Sequence, residues 1–151
     1  MPEIYNRTNP SDSNSVWDFS KDKPGIVVIN LMQNDASLML QPKHAQFIRR
    51  FGTKAPTPEE VIVTYMGFVQ QMRRHYPKAQ IICALGSMGA VADGSPWPGY
   101  VQEAVSRLQD PRIYTHIFDY VGGNGHPNPA EHAAMAKQLI AFIQKISDWQ
   151  D

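Results

Sequence analysis

Two short stretches, IVVINL at 26–31 and QIICALG at 80–86, are almost continuously apolar. A run this short with no polar face fits a strand covered on both sides, the condition met in a parallel sheet packed between helices. A third run, RIYTHIFDY at 112–120, also reads as a strand. Helical patterns with explicit start signals lie between and after them. In TPEEVIVTYMGFVQQMRR, Thr57 is an N-cap, Pro58 suits the first helical position and Glu60 completes a capping box. Ile62, Tyr65, Met66, Val69 and Met72 then share one face, and the helix should stop before Pro77. A shorter amphipathic stretch runs from about Gly99 to Leu108. The last helix starts from NPAE, with Asn128 as cap and Pro129 in the first turn, and is expected to bury Met135, Leu139, Ile143 and Ile146.

Strand, helix, strand, helix, strand, helix implies right-handed βαβ crossovers and an α/β fold with a parallel sheet. The 151 residues suit one domain spanning 1–151, without repeat or linker. Phe47, Ile48 and Phe51 mark a packed turn between Leu40 and Pro56, and Trp17 and Phe19 are expected to anchor the polar first twenty residues. Fourteen Lys and Arg balance fourteen Asp and Glu, so no overall field draws the chain to nucleic acid or a membrane surface. The first residues show neither a basic nor an apolar leader region, and no run has the length of a membrane span. A soluble protein is expected, its compartment unknown. The one cysteine, Cys83, sits in IICAL and reads as a buried, inert thiol.

Ligands of parallel α/β sheets sit beyond the carboxyl ends of the strands. That rule selects Asn34 and Asp35 after the first strand, Ser87 and Met88 after the second, and GGNGHP at 122–127 after the third. His126 is the one good general base among them, since imidazole exchanges protons near neutral pH. An Asn after a strand can donate its amide to an oxygen that gains charge during acyl transfer. On the residues alone, Asn34 and Asp35 read equally as a turn bonding its own backbone, and His126 as a loop histidine that helps cap the helix. Asp119 is at once a possible orienting group for a histidine and an ordinary turn residue. His44, His75 and His132 read as solvated, His116 as a satisfied strand side chain, and Tyr65 and Phe68 as core. Trp97, in DGSPWPGY, either packs on its loop or borders a sugar ring. No spacing resembles a metal site, and no cofactor is expected.

PGIVVINLMQND resembles the third conserved block of the SGNH, or GDSL-type, hydrolases, where a strand ends in Gly-x-Asn-Asp. HPNPAEHAAMAKQL resembles their last block, in which His-Pro precedes the C-terminal helix, and YMGFVQQMRRHYPKAQIICALGSM resembles the helix and fourth strand between. The opening MPEIYNRT…WDFSKDKP is similar to the family 2 carbohydrate esterases, which remove acetyl groups from sugars. The resemblance implies a flavodoxin-like three-layer sandwich of which this chain holds the C-terminal strands and helices. It also implies catalytic roles for His126, as the base that activates a serine, and Asn34, as an oxyanion donor. Trp97 and Asp35 are the expected substrate contacts, and acetylated carbohydrate or a small ester the expected substrate. Met32 stands where the family prefers glycine, two places before the Asn, and Gly123 where most members carry an acid. The Gly-Asp-Ser block that supplies the family's nucleophile has no counterpart here, and Ser95 in DGS follows the wrong strand. In the family's 2-1-3-4-5 sheet the IVVINL strand would be central, whereas here it would be an edge. The serine is therefore expected outside this chain, on an N-terminal segment or a second chain that completes the sheet, and 1–151 alone should be inactive. The rival reading is a non-catalytic binding or interaction protein on the same scaffold; were 1–151 active alone, Ser87 and Ser95 would be the first candidates for the nucleophile.

Overall fold

The start signals at Thr57 and Asn128 are both closed in the computed structural model, which describes residues 4–122 and 125–148. Thr57 Oγ1 accepts from the Glu60 N–H while Glu60 Oε2 accepts from the Thr57 N–H at 2.7 Å. Asn128 and Glu131 repeat the arrangement at 3.0 and 2.6 Å. These reciprocal bonds satisfy donors that a helix start leaves free. They open α3 (Pro58–His75) and α5 (Pro129–Ile146). The remaining elements are β1 (Ile26–Asn30), α1 (Gln33–Met39), α2 (Ala45–Phe51), β2 (Gln80–Leu85), a 3₁₀ turn at Gly89–Val91, α4 (Trp97–Leu108) and β3 (Ile113–Ile117).

The strands form one parallel sheet in the order β1-β2-β3, with Ile29 opposite Cys83 and Cys83 opposite Thr115. Alternation of side chains sorts the two faces. Ile29, Ile81, Cys83, Leu85 and Ile113 pack with Ile62, Tyr65, Phe68, Val69 and Met72 of α3 and Val101 and Ala104 of α4. On the other face the Phe142 ring of α5 meets Tyr114 at 6.3 Å and His116 at 4.9 Å. The result is the α/β layering of helices, sheet and helix.

Several expectations change. Only β2 is covered on both faces; in β1, Val28 remains 42% exposed and Asn30 is exposed, because β1 lies at the edge of the sheet. The third strand is shorter than the apolar run, yet Phe118 N–H still donates to Leu85 O at 3.0 Å, so the extended chain continues beyond the ladder. Met135, Leu139, Ile143 and Ile146 are only half-buried, since no residue of α5 is fully covered. The packed turn between Leu40 and Pro56 contains α2, where buried Phe47 meets Phe51 at 5.4 Å, while Ile48 is exposed. Phe19 does anchor the N-terminal segment, stacked on His75 at 3.6 Å, but Trp17 stays exposed. His75 is thus half-buried instead of solvated, and it bonds Asn6 Oδ1 at 3.1 Å. His44 caps α2 through Nδ1. His116 is not satisfied: its Nε2 is buried without a partner among the described residues.

Arg73 joins the amino ends of β2 and β3. Its guanidinium donates to Asp110 Oδ2 at 2.8 Å and to the carbonyls of Tyr76, Ala79 and Arg112 at 3.1, 2.7 and 3.2 Å. Although partial burial pushes the Asp110 carboxyl upward, the Arg112 N–H and the Arg73 guanidinium hold it below the usual carboxylate range. A depressed folded-state value contributes stability above the unfolded value, about pH 4, that is lost as pH falls through the folded one. Arg73→Ala is expected to destabilise the fold by about 2 kcal/mol in urea titrations at neutral pH. Its stability should also fall less steeply than that of the parent between about pH 4 and pH 2.

Candidate active site

The chain leaves β1 through Leu31 and Met32 and enters α1 at once, so Asn34 and Asp35 lie in the first turn of a helix instead of a loop. Met32 caps that helix with φ 80 and ψ −9, and its carbonyl accepts from the Ala36 N–H at 2.8 Å. This left-handed backbone favours glycine at the position, because a Cβ crowds the following carbonyl there. Met32 fills it with a side chain only 8% exposed, packed into the core.

Two concavities meet at this turn. One, of about 760 Å³, has a largely apolar wall that includes Met39, Phe51, Val61, Tyr65 and Trp97, with Asp35, Glu60, Arg50 and Lys54 as its charged members. The other, of about 410 Å³, is polar and is bordered by Asn30, Gln33, Asn34, Asp35, His44 and Arg50. Asp35 and Arg50 belong to both. Asp35 and Trp97 therefore border one cavity, and Asn34 and Asp35 the other. Trp97, 8% exposed, is the first residue of α4 and meets Tyr100 edge-on at 5.5 Å, so it is at once a packed side chain and part of a cavity wall.

His126 lies on the connection after β3, two residues before the Asn128 cap, and its side chain is exposed. The parallel sheet brings that connection to the same end as the Asn34 turn, yet His126 lines neither concavity. Gly123, where an orienting acid was sought, lies outside the described residues. Asp119 instead accepts from Gln138 Nε2 of α5 at 2.8 Å. Ser87 is 1% exposed and its Oγ donates to Met135 Sδ at 3.1 Å. Ser95 Oγ donates to the Ala90 carbonyl at 2.6 Å. Both serines are engaged in joining elements.

Residues that sequence reasoning passed over complete the turn. The side-chain amides of Asn30 and Gln33 meet at 2.7 Å. With its oxygen toward β2, the Gln33 amide accepts from the Gly86 N–H and donates to the Leu31 carbonyl, each at 3.0 Å. Asn30, the polar end of an otherwise apolar run, was the one available signal. Beneath the site, burial pushes the Cys83 thiol up to about 11 and raises Tyr65, whose hydroxyl interacts with that thiol.

No family model matches the chain. The cellulase/esterase CelE of Acetivibrio thermocellus is 31% identical over 142 residues, which cover 88% of this chain and 16% of that protein. The homologues and structure neighbours of this chain are family two carbohydrate esterases. The acetylxylan esterase/glucomannan deacetylase of Cellvibrio japonicus is 24% identical over 99% of this chain and 38% of its own length. A family two carbohydrate esterase from Clostridium thermocellum, solved with cellohexaose, superposes with a TM-score of 0.74 at 32% identity, covering 95% of this chain and 42% of that one. The chain thus spans less than half the length of these family two esterases.

A thiol with this burial reacts only when the fold opens. Cys83 is expected to resist iodoacetamide at pH 8 at least about a hundredfold better than the unfolded chain, by intact mass. Fast labelling of the native protein would contradict the described packing.

Proposed function

We propose that this chain is part of an ester hydrolase that removes acetyl groups from carbohydrate by serine–histidine acyl transfer, with the nucleophile serine outside residues 1–151. What carries the reading is that Asn34 and His126 follow the two outer strands of one parallel sheet, at the same end and on either side of β2, in a chain homologous to carbohydrate esterases. In this scheme His126 takes the serine proton as the serine oxygen attacks the acetyl carbonyl. The Asn34 amide donates to the oxygen that becomes negative, and the proton passes to the departing sugar hydroxyl. Water then attacks the acetyl-serine as His126 takes its proton, the acetyl–serine bond breaks, His126 returns the proton to the serine oxygen, and acetate leaves. Asp35 and Trp97 bind the substrate at the cavity they share. An outside source for the serine is supported by the engagement of Ser87 and Ser95 in structural hydrogen bonds. The exposed edge of β1 is where a further strand, from an N-terminal segment or a second chain, would complete the sheet.

Two experiments test this reading. In the complete, active protein His126→Ala should abolish hydrolysis of acetylated xylo- or gluco-oligosaccharides, and Asn34→Ala should lower turnover about a hundredfold. Full activity in the histidine variant would overturn the mechanism. Residues 1–151 alone should show no turnover and should gain it with a separate segment carrying the Gly-Asp-Ser strand. A fluorophosphonate that labelled Ser87 or Ser95 in an active 1–151 chain would place the nucleophile within it instead.

A further inference from the structure

Asn34 follows a turn whose backbone is unfavourable for the methionine that occupies it, and the contacts of one neighbouring residue oppose its relaxation. Gln33 spans two backbone groups, accepting from the Gly86 N–H and donating to the Leu31 carbonyl, each at 3.0 Å. In this orientation the Gln33 oxygen also lies 2.7 Å from the end of Asn30, whose amide nitrogen must be turned toward it to donate. Leu31 belongs to the turn itself, whereas buried Gly86 is the first residue after β2. The side chain therefore ties the turn to the end of the neighbouring strand. The fit is close: a Cβ on Gly86 would lie 2.5 Å from the Gln33 amide and 3.3 Å from that of Asn30. Only glycine admits the amide at this point.

We propose that Gln33 is a positioning residue, whose amide clamps the Leu31–Met32 turn to Gly86 and so holds Asn34 at the carboxyl end of β1. The role rests on the reading of Asn34 as oxyanion donor. Chemically, an amide is the group the position demands, since it must accept from one backbone N–H and donate to one backbone carbonyl within the same side chain. Aspartate, glutamate, lysine and arginine each lack one half of that pair when charged.

The test uses the complete protein in its active form and two readouts, steady-state kinetics on an acetylated oligosaccharide and hydrogen exchange at the Gly86 amide. Gln33→Ala should accelerate exchange at Gly86 by about a hundredfold and lower kcat about tenfold with little change in KM. Gln33→Glu, which keeps the acceptor for Gly86 and loses the donor to Leu31, should restore Gly86 protection and part of kcat. Gly86→Ala, which expels the amide, should reproduce the kinetic loss of Gln33→Ala. Unchanged exchange at Gly86 in Gln33→Ala would overturn the clamp. A loss of turnover in Asn34→Ala without one in Gln33→Ala would overturn the positioning role. If Asn34→Ala itself leaves kcat intact, the oxyanion reading fails, and the positioning role fails with it, whereas Gly86 exchange still reports whether the clamp exists.

Discussion

The strand Gln80–Leu85 buries every side chain from Ile81 to Leu85, and the layers on either side are arranged around it. No polar residue interrupts that run, so neither face can be turned to water, and each fully buried aliphatic contributes about 2 kcal/mol. Amphipathic α3 and α4 cover the face that carries Ile81, Cys83 and Leu85. The α5 side is thinner, held by Phe142 against Tyr114 and His116 and by the Gln138–Asp119 bond. Because β2 is central, the turns after β1 and β3 flank its end, and Gly86 is within reach of the first of them.

What could be read along the chain followed from local physics. The capping boxes at Thr57 and Asn128 are complete within four residues, so their helices were legible, as was the end of α3 before Pro77. Edge and centre were not, because IVVIN and QIICAL have nearly the same pattern and only sheet order distinguishes them. Helix α1 was hidden because its N-cap is a methionine in a left-handed conformation with no capping side chain. The four proposed site residues were all chosen from their places at strand ends, and the structure brings Asp35 together with Asn34 and with Trp97. The Asn30–Gln33–Gly86 contacts join residues remote in sequence, and no local pattern announces such a meeting.

The charged and polar members of the two concavities also have a simple logic. Asp35 and Arg50 offset one another where the cavities join, while Asn30, Gln33 and Asn34 add neutral amides. Glu60 and Lys54 add one further charge of each sign to the larger cavity, so its lining carries no formal net charge.

Met32 carries a consequence of its own. Replacing it by glycine would relax the backbone by roughly 1 kcal/mol, yet would strip a buried thioether side chain worth roughly 2 kcal/mol or more and leave a void in its place. A substitution that looks favourable from the dihedral angle alone is therefore uphill once the packing around the side chain is counted. Glycine at this turn would be tolerated only if a neighbouring side chain grew to fill the space that the thioether leaves.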